Sequence, residues 1–238
     1  MKTIDGKLRT TIFGWRVVMD LLTAIKTRHS VRSFTDRVIE GEVKETLEGA
    51  IHEANGEGGF NFQLCVNEPR AFQKGIFHYG RFTNCKNYLA LVGPKGRDEE
   101  YGYYGEKIAL KAQKLGLNSC WVGLTYNRFR VPCTFNEGEG LRLLIALGYG
   151  VTQGKPRRSK DMAKLCKVEG APMPTWFRSG MEAAMLAPTA LNQQRFLITL
   201  KDKTVTANAL PAPYGKVDLG IVKYHFEVGA GKENFTWG

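Results

Sequence analysis

Several things are missing from these 238 residues, and each absence removes a class of answer. No hydrophobic run approaches the ~18 consecutive apolar residues that a bilayer-crossing helix needs, so no membrane partner is expected. Residues 1–18, MKTIDGKLRTTIFGWRVV, do not read as a secretory leader, because Arg16 interrupts the apolar stretch Ile12 to Val18 and no small-residue cleavage site follows. They are set apart as an N-terminal extension, since Met19-Asp20 makes a natural helix start. The five cysteines are an odd set without a Cys-x-x-Cys pair, which argues against a disulfide framework or a zinc site and fits a reducing, cytoplasmic compartment. The four histidines are scattered without ligand spacing, so no metal is expected. Gly-x-Gly-x-x-Gly is absent, and GAGKEN at 229–234 lacks the spacing of a phosphate loop, so it reads as a helix C-cap. There is no low-complexity segment.

What the chain does have in excess is positive charge. Against 34 Lys and Arg stand 23 Asp and Glu, a formal net charge of +11, which favours anionic partners without choosing among phosphates, nucleic acid or a membrane surface. With 43% hydrophobic residues, a chain of this length can bury roughly 70% of its surface. Helical spacing is clearest at 42–54, where Val43, Leu47, Ala50, Ile51 and Ala54 form one stripe, and at 102–115, which Gly116 ends. Further helices are expected at 176–186 and at 219–228, the latter with Asp218 as N-cap and Gly229 as stop. Strands are expected at Asn87 to Val92, Ser119 to Gly123, Leu141 to Leu147, Phe196 to Leu200 and Thr204 to Ala207. Without a regular βαβ rhythm the mixture indicates an α+β protein. A soft boundary falls in the Gly-rich, basic stretch 150–160, which divides the chain into 1–18, 19–160 and 161–238.

Two stretches carry chemistry. In RHSVRSF at 28–34, Arg28, Ser30 and Arg32 alternate, so in extended backbone all three side chains project to one side. Two guanidinium forks and a hydroxyl suit a phosphate monoester. The structural alternative has Arg28 complementing a helix C-terminus and Arg32 pairing with Asp36 on the surface. The second stretch, APTALNQQRF at 187–196, joins a Pro-Thr turn to the amides of Asn192 and Gln194. The Asn192 side chain has both a donor and an acceptor for a planar polar ligand, or for loop carbonyls.

The run AIKTRHSVRSFTDRVI resembles the N-terminal signature of the FMN-dependent nitroreductase family. KNYLALVG at 86–93, GEKIALKAQKLGLNSCWVGL at 105–124, LLIALGYG at 143–150 and PRRSK at 156–160 follow in that family's order. The late Ala-Pro-Thr-x-x-Asn-x-Gln and the closing VDLGIVKYHFEVGAGKENFTW resemble a smaller branch of it. The resemblance implies a nitroreductase-like fold, a mixed central sheet flanked by helices. It also implies bound FMN as cofactor and hydride transfer from NAD(P)H to a nitro compound, quinone or similar small electrophile. Arg28, Ser30 and Arg32, with Arg157 or Arg158, would hold the flavin phosphate. Arg81 would lie near the ribityl chain or pyrimidine ring, and the amide of Gly123 or Leu124 would face N5, although Leu124 departs from the family pattern. Pro188, Thr189, Asn192 and Gln194 would form the turn against the ring. No side-chain catalyst is required, because the flavin performs the electron chemistry.

In the family that turn normally follows the first long helix. Here the corresponding stretch, GEGGFNFQLC at 56–65, keeps Asn61 and Gln63 but has lost Ala-Pro-Ser. Sliding the chain by 131 residues superposes Gly49, Asn61 and Gln63 on Gly180, Asn192 and Gln194. The family's sites lie between subunits, so a partial internal duplication would let this chain complete its site in cis, as a monomeric pseudo-dimer. A homodimer is the other arrangement. Two competing expectations are a flavin-free degenerate relative and a basic nucleic-acid-binding protein.

Overall fold

The computed structural model describes residues 19–73, 82–170 and 172–238. Asp20 opens the first helix, α1 (Leu21–Thr27), by accepting the Thr23 N–H at 2.7 Å. The 42–54 stripe lies within α2 (Gly41–Gly58), ended by Gly59 in the left-handed conformation. Then come β1 (Gln63–Cys65), β2 (Asn87–Pro94), α3 (Asp98–Lys114), β3 (Asn118–Val122) and β4 (Glu139–Gly148). The C-terminal part adds β5 (Cys166–Glu169), α4 (Thr175–Ala184), β6 (Phe196–Lys201), β7 (Thr204–Ala209), α5 (Gly215–Ala230) and β8 (Thr236–Trp237). The helices and strands expected from sequence are present, except that the stretch between 160 and Gly170, which reads as a weak helix, forms a short turn at Met162–Lys164 and then β5. The short strands β1, β5 and β8 are additional, because runs of two to four residues carry too little periodicity to be read.

The α+β architecture holds, with the strands divided between two four-stranded sheets. The first, ordered β1-β2-β4-β3, is antiparallel; the second, β5-β6-β7-β8, pairs β5 with β6 and β7 with β8 in parallel and β6 with β7 antiparallel. β2 and β4 are buried on both faces, as their unbroken apolar sequences require.

Between the sheets, α5 packs closely on both α3 and α4. The approach depends on glycine. A side chain at Gly102 of α3 would run into the α5 backbone at Val217, and one at Gly220 of α5 into the α3 backbone at Glu99. On the other flank Gly180 lies against Phe226, and Gly229 against Ser179 and Ala183. Gly229 therefore does not stop the helix; it lies inside α5, and Gly231 caps it with φ +77. Asp218 is likewise not the N-cap. α5 begins at Gly215 after the left-handed Tyr214, and Asp218 sits in the first turn. This close crossing buries α3 on nearly all sides, so a charged residue on its inner face must find partners in the interior.

Candidate functional site

A cavity of about 290 Å³ lies where the first sheet, the segment after α1, the turn after α4 and the start of α5 meet. Its volume is close to the lower end of the range for ligand clefts, roughly 300 Å³. Ser30, Arg32 and Arg157 supply polar wall, and Trp121, Tyr214 and Ile221 supply aromatic and aliphatic wall. The end of β3 contributes Gly123, Leu124 and Thr125, while Pro188, Thr189 and Gln193 close the far side. Ser30 reaches this position through a parallel bridge to Ser119, with the Val31 N–H bonded to the Ser119 carbonyl at 3.1 Å.

Arg28 caps α1 through its backbone N–H on the Ala24 carbonyl, but its side chain runs into the interior and is only 2% exposed. Glu106 on α3 meets it there, with Oε1 3.4 Å from Arg28 Nε and 2.9 Å from His225 Nε2. Glu106 Oε2 accepts from Trp121 Nε1 at 2.7 Å. Burial would raise the Glu106 carboxyl, but the His225 hydrogen bond, the Arg28 charge and the Trp121 donor hold it below the usual carboxylate range. No guanidinium nitrogen of Arg28 has a hydrogen-bond partner, and the Ser119 hydroxyl is also buried and unpartnered. Such groups need an acceptor. A phosphate fits this donor set: the buried, unpartnered guanidinium of Arg28, with Ser30, Arg32 and Arg157 nearby, the last three on the cavity wall.

The field there is positive. Arg157 is pushed down to about 10 by burial and then by Arg28, and His29 is lowered by burial and by the charges of Arg28 and Arg157. Arg157 donates to the Leu186 carbonyl, which ties this basic segment to the turn after α4. Asp218 faces the cavity from α5, and both its carboxylate oxygens lie 3.0 Å from the Ala190 N–H. Burial pushes its acid up to about 7, against the opposing pull of the Ala190 N–H and of Arg157.

Ser30, Arg32, Gly123, Leu124, Arg157, Pro188 and Thr189 are thus brought together on one cavity. Arg28 adjoins it without lining it, and Arg81 lies outside the described residues. Arg158 is exposed, and its carbonyl receives the Asn192 Nδ2 at 2.8 Å. The Asn192 donor is therefore directed at the loop, and neither Asn192 nor Gln194 lines the cavity. Gln194 is buried, accepting the Lys160 N–H at 2.7 Å and donating to the Met185 carbonyl at 2.9 Å. Gly123 is covered by the Tyr214 ring, whose hydroxyl donates to the Gly123 carbonyl at 3.0 Å. Asp36 does not pair with Arg32 but with Lys86 at 2.8 Å.

Sequence reasoning missed Glu106, His225, Trp121, Tyr214 and the bond from the Ala190 N–H to Asp218. One signal was present. Gly102 and Gly220 mark where α3 and α5 touch, and Glu106 and His225 follow within a turn or so of them.

Comparison with known proteins bears on this arrangement. The model of a family described as "Putative TM nitroreductase" matches residues 20–230. A "putative nitroreductase" of Thermotoga maritima has a similar structure, with a TM-score of 0.62 and 23% identity, over 92% of this chain and 87% of that one. A "putative nitroreductase in complex with fmn" from Desulfovibrio desulfuricans has a TM-score of 0.51 and 19% identity, over 65% of this chain and 98% of that one. At these identities the likeness is one of fold. No curated protein matches.

Proposed function

The chain belongs to this nitroreductase family, and from that membership together with its cavity we propose that it is an FMN-dependent NAD(P)H oxidoreductase of nitroreductase or quinone reductase type. The observation that carries the reading is that an early basic segment and a late turn of the same chain face one cavity, beside a buried guanidinium with no hydrogen-bond partner. Arg28, Ser30, Arg32 and Arg157 would hold the phosphate, and the turn at 188–193 with Trp121 and Tyr214 would flank the ring. Bound flavin would supply hydride transfer between NAD(P)H and a small electrophile, each docking in turn.

The chain's own part is to bind, orient and exclude water. Apolar walls lower the local dielectric, so the fixed donors act strongly on developing negative charge. The Asp218 acid, the one carboxyl on the cavity wall among the described residues, is pushed up to about 7 by burial. We read residues 19–160 as the half that brings the phosphate ligands and 161–238 as a partial second half that completes the site in cis.

Full-length protein mixed with FMN is expected to turn yellow at one flavin per chain and to bleach with NADH or NADPH under anaerobic conditions. Absence of flavin uptake would overturn the reading in favour of a flavin-free relative. Salt-sensitive nucleic-acid binding with no flavin spectrum would favour a basic binding protein.

A further inference from the structure

Hydrogen-bond roles in the buried cluster settle where its protons lie. His225 Nδ1 is 3.1 Å from the Ala183 carbonyl, which can only accept, so Nδ1 carries a hydrogen. Glu106 accepts from the Trp121 indole on Oε2 and has the Arg28 charge beside Oε1, and with the His225 ring 2.9 Å from Oε1 its carboxyl is held below the usual carboxylate range despite burial. A carboxyl so surrounded is ionised. The ring then donates from Nε2 as well and is an imidazolium. Glu106 and His225 are each 0% exposed, and Arg28 2%.

The consequence concerns charge. One carboxylate faces two cations, and its geometry favours His225, at 2.9 Å, over Arg28, at 3.4 Å with no aligned N–H. Resting on the reading of the cavity as an FMN site, we propose that His225 and Glu106 are positioning residues forming a neutral imidazolium–carboxylate pair. They leave the positive charge of Arg28 uncancelled, and so make the site selective for a dianionic phosphate monoester over an uncharged flavin. Arg157, coupled to Arg28, supplies the second positive charge that a dianion requires, while Asp218 faces Arg157 and His29 lies beside both arginines. If Glu106 neutralised Arg28 instead, an anion would gain little there.

The test compares FMN with riboflavin, which lacks the phosphate, by flavin fluorescence quenching on full-length protein at fixed ionic strength. His225→Gln keeps a donor for Glu106 but removes the charge, freeing the carboxylate to cancel Arg28. It is expected to weaken FMN binding by about tenfold or more and leave riboflavin binding unchanged. The double variant His225→Gln/Glu106→Gln restores the net charge and should recover the FMN preference. An equal loss for both flavins, or failure of the double variant to recover it, would overturn the proposal. Nitrogen NMR of the wild-type protein needs no flavin: both His225 ring nitrogens should carry a proton, and a neutral tautomer would overturn the assignment. If the wild type takes up neither flavin, the functional reading falls while the NMR result still decides the state of the pair.

Discussion

The spacing Asn-x-Gln occurs at 61–63 and again at 192–194, and the two copies use their side chains alike. Gln63 grips Thr134, donating to its carbonyl at 2.7 Å and accepting its N–H at 3.0 Å, while Asn61 donates to Glu139 at 2.9 Å. Gln194 grips the Lys160 N–H, and Asn192 the Arg158 carbonyl. In both places an amide pair clamps an extended segment from elsewhere in the chain. The copies differ in backbone and company. Leu191, Asn192 and Gln194 all have positive φ, at 52°, 55° and 44°, whereas 61–63 has none. The late copy also has Asp218 holding the Ala190 N–H and basic residues across a cavity. An Asn-x-Gln pair is therefore a loop clamp by itself; a strained turn pinned by a neighbouring helix is what brings backbone and side chains to a site.

Changing the residues around the late copy should separate these contributions. The largest effect is expected at Asp218. Its acid is raised from 3.8 to about 7, so the folded state keeps a proton that the unfolded chain has released. Stability should fall as pH rises from about 4 to 7 and stay lower above. Asp218→Asn retains an oxygen for the Ala190 N–H and should remove this slope, with a gain on the order of a few kcal/mol at pH 8 and little change near pH 4. Urea denaturation at both pH values checks it; an unchanged slope would mean that the carboxyl is ionised at no cost.

Next in size is Arg28→Ala, which removes the buried, unpartnered guanidinium. FMN binding should weaken by about 2 kcal/mol, read as a dissociation constant, with riboflavin little affected. The copies can then be compared directly. Gln194→Ala leaves a buried N–H and carbonyl without partners and should cost about 1–3 kcal/mol of stability and weaken FMN binding. Gln63→Ala, at a half-buried site, should cost about 1 kcal/mol and leave FMN binding alone. Equal effects on flavin would erase the distinction. The smallest effect is expected at Leu191→Gly, which relieves a positive φ and should stabilise by up to about 1 kcal/mol in thermal melts.

Much of this was legible from composition and pattern. Apolar stripes placed α2 and α3, unbroken apolar runs placed β2 and β4, and Asp20 marked the start of α1. The alternation at 28–32 and the Pro-Thr turn pointed to two segments of one site, and Ser30, Arg32, Pro188 and Thr189 do share a cavity. The Asn192 amide was harder to read, because a loop asparagine serves ligand or backbone equally well until the neighbouring strand of chain is known. Asp218 was misread for the same reason: its N-capping chemistry is real, but the N–H it receives belongs to Ala190.

The longer helices and strands, the basic early segment and the family resemblance could be read along the chain, because periodicity, turn chemistry and motif order are local properties. Only the tertiary structure decided that Glu106 and His225 meet behind the cavity. Neither residue is marked by spacing, and each acquires its role when glycine contacts let α3 and α5 approach closely enough to bury opposite charges together. Burial makes those charges count, since a low dielectric turns an ordinary pair of side chains into a fixed element of the electrostatic field.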